Sequence, residues 1–304
     1  MEKITLQVPA TSANCGPGFD VLGIACTLYN KLTFEITEPQ QGLALKVYGE
    51  GAEYLKASRK NLAFRGFFAV WDKVCPDKRI GLKVTMENNI PMSRGLGSSS
   101  SAIVAGIYAA NVLSGNTMTK QQLLNIATEI EGHPDNVAPA LLGGFTVSFM
   151  DASGAHSLSL KPPAGLKLIA AVPEQKLATS LARKAIPQTV AHQDAVFNVS
   201  RASLLVAALL SGSYEYLGEA LEDRLHQPYR AHLIPGLADV FAAAKQAGAY
   251  NAIISGAGST IMAYAAADAP LTQIAAAMQE AFAKHDQQCT MHILDIDEHG
   301  VQQI

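Results

Sequence analysis

Pro91-Met92-Ser93-Arg94-Gly95-Leu96-Gly97-Ser98-Ser99-Ser100-Ser101 runs without a break into the apolar residues that begin at Ala102. Two glycines allow a backbone to approach a ligand closely. The residues after them read as the first turn of a helix, whose unpaired N–H groups and macrodipole favour an anion such as a phosphate. The serines add hydroxyl donors or a hard ligand for a divalent cation. No Lys follows the last glycine, so the run is not a Walker A loop and the fold is not that of the P-loop NTPases. A Gly/Ser-rich turn with an ordinary helix cap would have much the same composition, so the meaning of the run depends on its surroundings.

Working outward, strand-like segments fall at 4–8, 31–37, 43–48 and 81–86, and helical ones at 61–73, 99–113 and 120–131. Thr119 followed by Gln122 is a capping-box start, and Leu123, Ile126, Ala127 and Ile130 recur at helical spacing. The pattern predicts an α+β fold with a mixed sheet. A stretch rich in Gly, Ser and Pro at 153–163 predicts a boundary between residues 1–155 and 165–304. Past it come a strand at 166–172, helices at 197–210, 214–225 and 236–246, a strand and glycine turn through 253–258, a helix at 271–284 and a strand at 289–294. This order suits a sheet with helices on one face.

Three further stretches carry polar chemistry. Pro9-Ala10-Thr11-Ser12-Ala13-Asn14-Cys15-Gly16-Pro17-Gly18-Phe19-Asp20 reads as a tight loop after the first strand, with Asn14 and Asp20 able to meet a ligand hydroxyl. Both side chains could equally bond their own backbone. Ser255-Gly256-Ala257-Gly258-Ser259-Thr260 again sets glycines where a backbone needs close approach. Glu129 and Glu131 stand at a helix end before Gly132-His133-Pro134-Asp135-Asn136. A carboxylate near Ser98 would complete a Mg2+ site, and residues two apart do not share a helix face, so one of the two glutamates is expected to reach the metal.

Composition bounds the answer. Hydrophobic residues make up 49% and charged residues 16%, and the net charge is −3. That is the mix of a compact enzyme without the basic footprint of a nucleic-acid or anionic-membrane binder. The apolar run at 102–113 is too short to span a bilayer, so no membrane segment is expected. Cys15, Cys26, Cys75 and Cys289 form no C-x-x-C pair and read as reduced thiols. With no signal-peptide pattern at residues 1–6, the expected setting is cytoplasmic. The oligomeric state is left open, a two-fold homodimer being the common arrangement for small enzymes.

Together, the loop at 9–20, the run at 91–101 and the turn at 255–260 resemble the three motifs of the GHMP kinases, in order and in spacing. The opening loop, together with 133–145, the stretch 179–183 and the stretch 227–236, is similar to the homoserine kinase family in particular. The resemblance covers nearly the whole chain. It implies a two-domain fold, with an N-terminal domain like ribosomal protein S5 domain 2, a ferredoxin-like C-terminal domain, and ATP and substrate bound between them. It further implies that residues 91–101 hold the ATP phosphates and that Ser98 and Glu129 ligate Mg2+, with Glu131 as the alternate. The L-homoserine pocket would take Asn14, Asp20, His133, Asn136, Thr179, Arg183, Arg230, Gly256 and Gly258. Asp20, Asn14, Asn136 and His133 would stand at the reacting groups, Asp20 being the carboxylate expected to receive a hydrogen bond from the substrate hydroxyl. The two arginines would grip the amino-acid carboxylate, since a guanidinium fork binds a carboxylate through two parallel hydrogen bonds. A GHMP kinase for another small alcohol of the mevalonate type, or a non-catalytic nucleotide-binding relative, would share the phosphate loop but not need that arginine pair. Cys15 stands where Leu is common in the family, and Ser100-Ser101 where Ala is common, which leaves open which serine meets the metal.

Overall fold

The computed structural model describes residues 2–304. The first half runs β1 (Lys3–Ala13), β2 (Leu22–Thr37), β3 (Leu43–Gly49), α1 (Leu62–Val74), β4 (Gly81–Asn88), α2 (Ser98–Leu113), α3 (Lys120–Glu131), α4 (Pro134–Leu142), β5 (Phe145–Asp151) and β6 (Gly154–Leu160). The second half contains β7 (Leu166–Pro173), α5 (Thr179–Lys184), α6 (His192–Ser211), α7 (Leu217–Ala220), α8 (Gln227–Arg230) and α9 (Leu237–Gln246). It continues with β8 (Asn251–Ile254), β9 (Ile261–Ala266), α10 (Leu271–Ala283), β10 (Cys289–Leu294) and β11 (Gln302–Gln303).

The first sheet runs β11-β1-β2-β4-β3, with β5 on the other end of β2 and β6 outside it. Among the described residues only β3 and β4 pair in parallel, which makes the sheet mixed as expected. Strand β1 extends five residues past the predicted end. Pro9, which cannot donate to a ladder, sits at the register shift between Pro9 and Ala10 and so does not stop the strand. The polar loop therefore starts only at Asn14. The second sheet runs β10-β7-β9-β8, all antiparallel. With helices between β7 and β8 and between β9 and β10, this is the βαββαβ order of a ferredoxin-like domain.

Three apolar clusters hold these layers together. Leu6, Leu32, Phe34 and Val84 of the first sheet pack on Phe64, Phe67, Trp71, Ile103, Ile107 and Leu124 of α1–α3. Ile169, Ile254 and Ile261 of the second sheet pack on Val240, Met278 and Phe282. Between the halves lie Ile24, Leu96, Phe145, Leu168, Leu205, Ile253 and Tyr264.

Several expectations give way here. The 153–163 stretch is largely β6, closed back on β5 by a hairpin with Asp151 opposite Gly154, and the linking segment is 161–165. The chain end returns to the first sheet, where Gln303 stands opposite Leu6. The single helix expected at 214–225 is broken into short pieces. Asp223 ends it by accepting from the backbone N–H groups of Leu225, His226 and Gln227. Helix α6 starts five residues early. By length and composition alone it could cross a membrane, with a mean hydropathy of 1.3; its Asp194 and Arg201 pair with Arg224 and Glu222.

Candidate active site

A cavity of about 350 Å3 opens where the two halves meet. Its apolar portion is lined by Leu55, Leu62, Met86, Met92 and Ala102, with Lys60, Asn61 and Asn88 among them. Its polar portion is lined by Asn14, Asp20, His133, Asp135, Asn136, Thr179, Arg183, Arg230 and Gly256. Pro91, Ser93, Gly95, Leu96, Gly97, Ser98 and Ser99 of the glycine run complete the wall.

Helix α2 begins at this wall. Its N-cap is Gly97, in the left-handed region with φ 69°, and no side chain caps the first turn, so those N–H groups are left for a ligand. Gly97 is required by packing as well as by φ: a Cβ there would lie 1.9 Å from Thr11 Oγ1 and 3.3 Å from Asn136 Oδ1. Thr11 in turn donates to Asn136 Oδ1 at 2.7 Å, and its N–H donates to Leu96 O at 3.1 Å. Gly95 is clamped from the second half, since a Cβ would lie 2.1 Å from Ser255 O, and Ser255 Oγ donates to Gly95 O at 2.6 Å. The 255–260 turn is thus a buttress that presses the glycine run into shape. Gly256 and Ala257 reach the cavity, whereas Gly258 packs against Ile234, Ile254 and Leu177 and does not line it.

The members of the 91–101 run divide. Arg94 turns away from the cavity: Nε donates to Pro173 O at 2.9 Å and Nη2 to Glu174 O at 3.2 Å, tying the loop to the end of β7. Ser101 is buried, donating to Ser98 O and accepting from Asn30. Ser100 is buried too, and its hydroxyl meets the same carboxylate oxygen as that of Ser99, Glu131 Oε1, at 3.0 and 2.9 Å. Glu131 lines the cavity, whereas Glu129 is exposed and does not. Of the two glutamates it is thus the alternate, Glu131, that the fold brings to the cavity, because the two residues sit on different faces of α3. Ser98, Ser99 and Glu131 form a set of hard oxygen donors beside the uncapped helix start, chemistry that fits Mg2+.

In the polar portion, both Asp20 oxygens are engaged by Arg183, at 2.9 Å from Nη1 and 2.7 Å from Nη2. Asp20 is therefore half of a bidentate ion pair and not a free carboxylate. Asn14 is also committed, its Oδ1 accepting from Asp20 N–H at 3.1 Å and its Nδ2 donating to Gly256 O at 2.8 Å. Asn14, Cys15 and Asp20 all hold positive φ, a strained loop of the kind found at ligand sites. His133 Nδ1 lies 2.5 Å from Asp135 Oδ1. Burial pulls the His133 pKa down, but the hydrogen bond and charge of Asp135 outweigh it and raise the value overall. Arg230 is 2% exposed, and burial together with the nearby Arg183 pulls its pKa down to about 10. Its Nε donates to Ala182 O and its Nη1 to Gly256 O, while Nη2 makes no hydrogen bond to protein.

Sequence reasoning passed over Asp135 and Phe19, although both lie inside quoted motifs. It also passed over Lys60, Asn61 and Asn88 at the apolar end. Asn61 carries a readable signal as the N-cap of α1. Helix α4, which presents Asp135 and Asn136, was hidden by Pro134 and Pro139, although Pro134 at the first helical position is a start signal.

Comparison with known proteins follows the same lines. Residues 61–144 match the family described as GHMP kinases N terminal domain, and residues 205–284 match GHMP kinases C terminal. A homoserine kinase of Moorella thermoacetica is 41% identical over 97% of this chain and 98% of its own length. One of Carboxydothermus hydrogenoformans is 44% identical over 86% of this chain and 85% of its own. The crystal structure of homoserine kinase from Cytophaga hutchinsonii superposes with a TM-score of 0.89 at 30% identity, covering 100% of this chain and 98% of that one. The chain belongs to the homoserine kinase family of the GHMP kinases.

Proposed function

We propose that the protein transfers the γ-phosphoryl group of ATP to the side-chain hydroxyl of L-homoserine, giving O-phospho-L-homoserine and ADP, a step toward threonine. The observation that carries this reading is the meeting of Arg183 and Arg230 with the uncapped start of α2 in one cavity. A buried guanidinium with a free Nη2 edge suits an α-carboxylate. The carboxylates of Asp20 and Asp135 suit the α-ammonium.

In the polar portion, an incoming zwitterion would compete for the Asp20–Arg183 pair, its carboxylate taking the guanidinium and its ammonium the freed aspartate. Asp20 is thus assigned to substrate binding in preference to proton abstraction. Phosphoryl transfer through a loose transition state asks for little prior deprotonation. Asn136, held by Thr11 through Oδ1, keeps its amide nitrogen for the acceptor hydroxyl or the phosphate. Ser98, Ser99 and Glu131 would hold Mg2+, which when bound neutralises charge on the transferred group. The α2 amides stabilise the phosphate, while the arginines orient the acceptor in line. The apolar portion of the cavity suits the base of ATP. The four unpaired thiols accord with a cytoplasmic setting.

Purified protein assayed with Mg-ATP against L-homoserine, mevalonate, galactose and shikimate, with ADP release followed, tests the reading. Turnover on L-homoserine that is lost in Arg183→Ala and Arg230→Ala is the expected result. Turnover confined to another alcohol would overturn the pocket assignment while keeping the ATP site.

A further inference from the structure

Behind the cavity wall, His226 is fully buried and belongs to none of the groups assigned above. Its Nε2 lies 2.7 Å from Gly16 O and its Nδ1 3.1 Å from Arg230 Nη1. A carbonyl only accepts and a guanidinium only donates. The ring must therefore carry its proton on Nε2 and offer a lone pair from Nδ1. From these contacts we infer that His226 is a positioning residue for substrate binding, a neutral acceptor that fixes the rotation of Arg230 so that its Nη2 edge faces the cavity. The inference rests on the reading that Arg230 holds the substrate carboxylate.

The geometry leaves Arg230 little other support. Its Nη1 has two protons, one spent on Gly256 O at 3.0 Å and one on His226, while Nε is spent on Ala182 O at 3.2 Å. Without the imidazole lone pair, one proton of a buried cation is left unmet, and the guanidinium gains by rotating toward whatever acceptor the cavity supplies. His226 also ties the carbonyl of Gly16, inside the loop that carries Asn14 and Asp20, to the same arginine. The Phe19 ring of that loop packs 5.3 Å from the imidazole and 5.3 Å from the Arg230 guanidinium. The charged groups facing His226 are Asp223, whose Oδ2 is 3.6 Å from Nε2, Arg230 on α8, and Asp20 across the loop. Burial is the largest influence on the ring and keeps it neutral, and the Arg230 charge acts in the same direction. Asp223 is occupied with the backbone N–H groups of residues 225–227 and with Asn198.

Two substitutions separate the two ring nitrogens. A glutamine amide reaches the position of Nε2 and can still donate to Gly16 O, but offers nothing at Nδ1. An asparagine amide reaches the position of Nδ1 and can present its oxygen to Arg230. KM and kcat for L-homoserine and for ATP would be measured in the wild type, His226→Gln, His226→Asn and Arg230→Lys, with thermal unfolding alongside. The expected result is a homoserine KM raised at least about tenfold in His226→Gln, the size of a lost hydrogen bond to a charged group, with the ATP KM little changed. In His226→Asn the homoserine KM should return toward the wild-type value. A homoserine KM unmoved in folded His226→Gln, or equal damage in the two variants, overturns the inference. An unmoved value in Arg230→Lys overturns the carboxylate reading itself, and this inference with it. The 15N spectrum of histidine-labelled wild type needs no variant: a neutral Nε2–H tautomer at His226 is expected near pH 7, and an imidazolium or Nδ1–H form overturns the inference.

Discussion

Gly97→Ala is the most demanding test of how the anion loop is built. At φ 69° the residue is left-handed, which costs a side-chain-bearing residue about 1–2 kcal/mol. The new Cβ would start 1.9 Å from Thr11 Oγ1, far inside contact distance, so Thr11 must rotate and give up its 2.7 Å hydrogen bond to Asn136, about 1 kcal/mol more. The sum is a destabilisation of about 2–3 kcal/mol, with more if the loop shifts instead. Gly212→Ala is the matched control, since Gly212 has φ 74° in the same left-handed region and the added Cβ would meet only Pro163 at 3.5 Å, an ordinary contact, leaving backbone strain alone. Activity should separate the two further. The start of α2 is pushed off the phosphate position, and a shift of about 1 Å costs on the order of 10²-fold in turnover. Urea unfolding and steady-state kinetics would be measured for both variants and for the Thr11→Ala/Gly97→Ala double variant, in which removing the hydroxyl should recover part of the loss as a non-additive term. If Gly97→Ala matches Gly212→Ala in stability and stays within about threefold of wild-type turnover, the claim that Thr11 and Asn136 brace the loop is wrong.

Three more expectations follow from the geometry. Glu131→Gln should lower turnover on the order of 10²-fold and raise the Mg2+ needed for half-maximal rate, whereas Glu129→Gln should leave both near wild type; the opposite pattern would return the metal to Glu129. His133 has a folded pKa above the ordinary 6.5, so its pairing with Asp135 stabilises the fold fully below about that pH and loses effect as pH rises through the folded value. Urea unfolding between pH 5.5 and 8.5 should show that slope in the wild type and a flatter one in His133→Gln. Burial pushes the Cys15 thiol up to about 12 and Cys26 higher still, and half-burial pushes Cys289 to about 11. A thiol reagent at neutral pH should therefore label Cys75 first and reach Cys15 and Cys26 only on unfolding; rapid native labelling of Cys15 would contradict the packed loop.

The elements most legible in the sequence were those whose stabilisation is local. Helix α3 matches its expected bounds because Thr119 and Gln122 cap each other and the apolar positions recur every three to four residues. The uncapped start of α2 was readable for the same reason: two glycines before a serine-led apolar helix describe their own backbone. For the second half, element order reached only a sheet with helices on one face: β9 at Ile261–Ala266 went unread, and the ferredoxin-like pattern came from the family resemblance.

What the tertiary structure alone decided concerns partners far apart in sequence. Asp20 and Arg183 are 163 residues apart, and nothing local announces that each neutralises the other. Arg94 stands in the middle of the anion loop and reads as a phosphate ligand, yet the carbonyls at 173 and 174 claim it. The turn at 255–260 reads as a ligand loop and serves mainly to clamp Gly95. Hydrogen bonding and ion pairing act over a few ångströms whatever the separation along the chain, so residue type can nominate a group for chemistry, and only the folded neighbourhood settles whether that group is free to perform it.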